Sequence, residues 1–191
     1  MKVAKVVISI ILLFSVLVTT VYASDDYGSL LLVPKGFQIQ EKSNWCWVAC
    51  ARNSVRFERL ILRSQKSAVK KIKGSDIDAG GSIFEIEEAA EYISYGNENY
   101  TGVKKKLSFD NLRKQLDREN ITITCMGNYD GNDFRWGGHA VVIIGYIVGT
   151  NGRYIYYVDP ADDSSHICSY ESFCDGSYNN LKYDYTCYNN E

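Results

Sequence analysis

Cys46, His139, Asp159 and Gln40 are the residues of this chain whose types and settings suit acyl transfer. A cysteine thiolate attacks a carbonyl carbon, an imidazole takes and returns the proton, and a carboxylate holds the imidazole in the useful tautomer. An amide N–H beside the nucleophile's own backbone N–H stabilises the oxyanion that forms. Cys46 follows the cap-forming pair Ser43-Asn44 and opens the apolar run Cys46-Trp47-Val48-Ala49-Cys50-Ala51, so it is predicted in the first turn of a helix. Unpaired backbone N–H groups and the helix dipole favour a thiolate there. Gln40 stands six residues earlier, where its amide can share the oxyanion site with the Cys46 N–H. His139 lies between Gly137-Gly138 and the apolar run Ala140–Ile144, a place that can aim an imidazole and leave room for substrate. Asp159 ends the next strand, ahead of Pro160.

The elements that must position these residues divide by hydrophobic period. The Cys46 helix is predicted to run on through Val55, Leu60 and Leu62. Ser82 and Glu85 form a capping-box pattern ahead of Ile83, Ile86, Ala90 and Ile93, which recur at helical spacing. A third helix follows Ser108, with Phe109, Leu112 and Leu116 as its apolar stripe. From Ile121 the period falls to two. Ile121, Ile123 and Cys125 predict a half-buried strand, Ala140–Ile144 one covered on both faces, and Tyr154–Val158 the next. Helices first and antiparallel strands after predict an α+β fold, its nucleophile helix packed on a sheet that carries His139 and Asp159.

The hairpin between the last two strands sets function against turn chemistry. Asn151-Gly152 is a strong two-residue turn signal. A clean turn there would place Asp159 opposite Ile144, five residues from His139 and on the other face of the sheet. Facing His139 instead requires Tyr146 opposite Gly152 with a five-residue loop over Ile147–Asn151, or a bulge at Gly149 or Gly152. The triad context predicts that His139 and Asp159 share a face.

The run Gln40-Glu41-Lys42-Ser43-Asn44-Trp45-Cys46-Trp47, with Gly138-His139-Ala140-Val141-Val142 and Val158-Asp159-Pro160, resembles the papain-like cysteine peptidases. The closer likeness is to their compact bacterial branches, which include double-glycine leader peptidases and secreted plant-pathogen effector proteases. The resemblance implies an oxyanion hole built with Gln40, a Cys46–His139–Asp159 triad, a protein or peptide substrate, and no cofactor. Ser43-Asn44-Trp45 departs from the papain and cathepsin signature, which has a second cysteine and a small residue there. Asp159 in place of asparagine and the short separation of Cys46 from His139 suit the bacterial branches. The likeness extends from Gly36 to Pro160.

Lys2 and Lys5 ahead of the apolar run Val6–Val18, with Val21-Tyr22-Ala23 after it, predict a signal peptide over 1–23. A lead-in over 24–36, read as irregular, then precedes a single domain over 37–191. Location would be secreted or periplasmic, with no stable membrane association after cleavage. In such a compartment, with Cys46 kept free, the other five cysteines allow at most two bridges and one thiol, and the Cys/Tyr-rich segment 164–191 reads as irregular and bridged. Cys50 is expected to be buried one turn from Cys46. His166 is expected to be exposed and is the rival base. The absence of a CxxC pair and a count of two histidines argue against a metal site. A net charge of −2 argues against nucleic acid, with the Lys70-Lys71-Ile72-Lys73 patch read as a solvated helix end. Two rivals stay open at this level. One is a catalytically silent binding protein with Cys46 in a disulfide; the other is a transglutaminase or cell-wall amidase using the same triad.

Overall fold

A computed structural model describes residues 27–31, 37–55, 62–129 and 135–190; the predicted signal peptide lies outside the described residues. In chain order the elements are β1 Tyr27–Leu30, α1 Cys46–Ser54, α2 Gln65–Lys73, α3 Ile83–Ile93, β2 Tyr100–Val103, α4 Phe109–Leu116, β3 Thr122–Tyr129, β4 Arg135–Gly149, β5 Gly152–Asp159, β6 Ser164–Ser169, α5 Tyr170–Asp175 and β7 Lys182–Asn189. The fold is α+β. Its strands form one antiparallel sheet in the order β2-β7-β3-β4-β5-β6, with β1 beside the second half of β4.

Helices cover both faces of this sheet. Trp47, Val48, Val69, Ile86 and Ile93 of α1, α2 and α3 pack with Ile123, Ala140, Val142, Ile144 and Val158 in one core. Phe109, Leu112 and Leu116 of α4 and Phe173 of α5 pack with Met126, Val141, Ile143 and Ile155 in the other. Each fully buried Val, Leu, Ile, Phe or Met among them contributes roughly 1.5–3 kcal/mol of transfer free energy. The second layer corrects the expectation of a half-buried β3. Thr122 and Thr124 are as inaccessible as Ile123, because α4 and its neighbours cover the face that periodicity assigned to solvent.

Three further expectations change. The Cys46 helix ends at Ser54, Leu60 lies outside the described residues, and a separate α2 begins at Gln65 behind the Ser64 cap. Part of the lead-in is a strand rather than irregular: β4 is fifteen residues long, and its Gly145–Val148 stretch pairs with β1. That approach is close, since a Cβ on Gly28 would stand 2.4 Å from the Tyr146 carbonyl oxygen. The C-terminal segment is regular too. Its alternating aromatics, Tyr183 and Tyr185 ahead of Cys187, make β7 a strand inserted between β2 and β3, inside the sheet.

The expected disulfides are absent, and all six cysteines are free. Cys125 and Cys187 show one reason. They sit on adjacent strands, but Ile123 is the partner of Cys187 and Tyr185 the partner of Cys125. Diagonal neighbours are about 7–8 Å apart, beyond the roughly 4.4–6.8 Å Cα separation that a bridge requires.

Candidate active site

Cys46 is the first residue of α1 and is partly accessible, while the rest of its turn is buried. Ser43 and Asn44 do not cap this helix. Trp45 occupies the N-cap position and no side chain caps the first turn, so backbone N–H groups around Cys46 remain for a ligand. The two indoles fix the helix start instead. Trp45 Nε1 donates to the Ile77 carbonyl at 2.9 Å, and Trp47 Nε1 donates to the Ala79 carbonyl at 3.0 Å. Asn44 N–H donates to Asp78 Oδ1 at 2.8 Å. These bonds tie the 77–81 loop against α1, and only glycine fits at its end: a Cβ on Gly81 would lie 2.3 Å from the Trp47 ring.

The sheet supplies the other wall, and its register is decided at two points. The hairpin turn is Thr150-Asn151, closed by Gly149 opposite Gly152. Gly152 is the first residue of β5, at φ 136, where glycine is at ease. The pairing then slips once, between Ile143 and Gly145. A turn one residue earlier than the Asn-Gly signal, plus a bulge at Ile144, therefore replaces both predicted arrangements. Without the bulge, Asp159 would fall opposite Val142, an odd offset from His139 and the wrong face. With it, Val142 pairs with Val158, and one further step sets Asp159 opposite Val141, two residues from His139 and on its face.

His139 Nε2 lies 2.7 Å from Asp159 Oδ1. An ionised carboxylate only accepts, so Nε2 carries the proton and Nδ1 is left for the Cys46 thiol. Asp159 Oδ1 also accepts from the Ala161 N–H at 2.8 Å, a local turn that fixes the carboxylate. Burial alone would push the imidazole down. Hydrogen bonds to Asp159 and Cys46, with their negative charge, outweigh it and hold His139 at about 10. Burial likewise acts to raise Asp159, but the bonds from His139 and Ala161 keep it below the usual carboxylate range.

Cys46, Trp47, Gly80, Gly81, Cys125, Arg135, Gly138 and His139 are among the residues lining a cleft of about 350 Å³. Gln40 is not among the residues that line it; its N–H donates to the carbonyl of Pro160, the residue after Asp159, at 2.7 Å. Its Nε2 donates to the Lys42 carbonyl at 3.0 Å and the Ser43 carbonyl at 2.8 Å, and its Oε1 is buried without a partner among the described residues. Trp47 lines the cleft, whereas Trp45 is buried in the core. His166 is partly covered rather than exposed. It stacks on Tyr157 with ring centroids 4.8 Å apart and meets Ser164 Oγ at 2.6 Å. Cys50 is fully buried, and burial with the neighbouring negative charge of Cys46 pushes its thiol well up, so it makes a poor second nucleophile. Arg135, which sequence reasoning did not single out, also lines the cleft, and the β-bulge between Gly137 and Arg135 hid its offset from His139. Among the described residues no cluster of side chains suits a metal ion.

Residues 31–186 match the Peptidase_C39 like family. The chain belongs to that family. It is thereby a member of the papain-like cysteine peptidase superfamily, a hydrolase class that acts on protein or peptide substrates. No curated protein matches the chain.

Proposed function

We propose that this chain is an exported peptidase that hydrolyses peptide bonds through Cys46, His139 and Asp159. The observation that carries the reading is the 2.7 Å contact of Asp159 with His139, which lines one cleft together with Cys46. Cys46 Sγ attacks the scissile carbonyl carbon, and the imidazolium delivers its Nδ1 proton to the departing amine. The acyl-enzyme is then cleaved by a water that His139 deprotonates, which returns the thiol and releases the acid. Asp159 keeps the imidazole in the tautomer and orientation these steps need. The oxyanion is held by the uncapped N–H of Cys46 and by Gln40 Nε2, which gives up one of its bonds to the Lys42 or Ser43 carbonyl to do so. A free Cys46 speaks against a silent binding protein in which that sulfur is bridged. Export rests on the pattern of residues 1–23, and among the described residues no helix is long and apolar enough to cross a membrane.

The test is labelling of the intact protein with a peptidyl epoxide, followed by mapping of the modified residue and assay on a peptide library. Modification at Cys46 with loss of cleavage supports the reading. Cleavage that survives complete Cys46 modification overturns it.

A further inference from the structure

We propose that Arg135 is a substrate-binding residue that selects a carboxylate close to the scissile bond. This rests on the peptidase reading and concerns the same cleft. Apart from His139, Arg135 is the cation among the residues lining that cleft, and the lining includes no carboxylate among the described residues. Its guanidinium is held from behind. Nε donates to Asp184 Oδ2 at 3.0 Å, and the group lies 5.4 Å from the Tyr185 ring centroid. Nη2 makes a long contact of 3.5 Å to the Met126 carbonyl, and Nη1 has no partner among the described residues. Asp184 is thus met through the Nε side, while the Nη side, which receives carboxylates in forked pairs, is underused. About a third of the Arg135 side chain is accessible, against 11% of Asp184.

The sheet is cut away to make room for this group. Gly127 and Gly138 pair directly across β3 and β4, leaving a patch with no side chains. A Cβ on Gly138 would lie 2.3 Å from Arg135 Nη2, and one on Gly127 would lie 2.2 Å from Asp184 Oδ2 and 2.7 Å from Arg135 Nε. The ion pair therefore rests on bare backbone, beside the residue that precedes His139. A structural salt bridge needs neither a place in the cleft lining nor an Nη1 left without a partner among the described residues. A neutral cleft wall would accept acidic and amide side chains alike; a fixed guanidinium in a partly desolvated cleft discriminates between them.

Two sources could supply the carboxylate, an Asp or Glu side chain or the free C-terminus of a short product-like peptide. Paired peptides separate them: Glu against Gln at each position around the cleaved bond, and free acid against amide at the C-terminus. The full chain is assayed for kcat/KM, and Cys46→Ala is titrated with the same labelled peptides for affinity. For one acidic position or for the free acid, wild type is expected to favour the charged member roughly 10- to 100-fold. Arg135→Gln brings the charged-to-neutral ratio down to about one, while Arg135→Lys keeps part of the preference. If Arg135→Gln fails to fold with Asp184 left unpaired, the Arg135→Gln/Asp184→Asn double variant carries the comparison. Equal treatment of charged and neutral partners by wild type, or a preference that survives Arg135→Gln or the Arg135→Gln/Asp184→Asn double variant, overturns the proposal. If no peptide is cleaved the peptidase reading falls instead, and the affinities of Cys46→Ala still decide the role of Arg135.

Discussion

The two walls of the cleft are held in place by different physics. The nucleophile wall is local: Cys46 sits where it does because α1 starts there, and two indole N–H groups peg the start to the 77–81 loop. The base wall is long-range. His139 and Asp159 stand twenty residues apart, on strands whose relative register depends on a two-residue turn and a single bulge at Ile144. A local wall fails gradually, by loosening one contact at a time. A register wall fails by parity, because a one-residue slip sends a whole strand's side chains to the other face.

The largest expected effect lies in the nucleophile itself. Cys46→Ala should lower peptide hydrolysis by about 10⁴-fold or more. Thermal stability should stay within about 1–2 kcal/mol, because the helix start is held by neighbouring residues. Persistent hydrolysis by this variant would refute the role of Cys46.

The base wall is broken next by Asp159→Ala, expected to cost about 10²-fold in kcat/KM. Its signature is in the pH profile. The wild-type imidazole is raised from 6.5 to about 10, so its contribution to stability is complete below about 6.5 and is lost as pH rises through about 10. Activity that needs the imidazolium should decline over that alkaline range. Removing the Asp159 carboxylate should move this limb downwards in pH. Asp159, held below its ordinary value of 3.8, contributes stability above that value and loses it as pH falls through its depressed one. An alkaline limb that stays in place in Asp159→Ala would separate the carboxylate from the base.

Gln40→Ala sharpens the picture on the nucleophile side. Loss of an oxyanion donor should reduce kcat by roughly 10²-fold with KM little changed. Were the amide only a brace for the Lys42 and Ser43 carbonyls, urea denaturation would register the change and kcat would not.

The smallest effect is expected at Gly81. A methyl group there meets the Trp47 ring at 2.3 Å, and Gly81→Ala should destabilise the chain by about 1–3 kcal/mol. Activity at low temperature should largely survive, as suits a wall that yields gradually. Complete loss of activity in a folded Gly81→Ala protein would mean that the nucleophile wall is as brittle as the base wall.

Much of the nucleophile wall was legible along the chain, since a helix start, a capping box and apolar periodicity are local properties. The Ser82–Glu85 box and the α3 and α4 stripes appear where the residues place them. The sequence could not say how α1 begins, because the groups that satisfy the indoles come from residues 77 and 79, more than thirty positions away. Nor could periodicity foresee that Thr122 and Thr124 are buried, since it reads one face of a strand and cannot know that α4 covers the second.

By itself, then, the chain's sequence determined which side chains could perform acyl transfer and which kind of element carries each. Tertiary structure decided their meeting. Asn151-Gly152 offered a favourable turn, but a strand register is chosen by all its cross-strand pairs and both buried faces together, and that sum moved the turn to Thr150-Asn151 and placed the bulge at Ile144. The C-terminal tyrosines were equally beyond reach. Their insertion between β2 and β3 depends on partners more than fifty residues earlier, and on a sheet that only the folded chain provides.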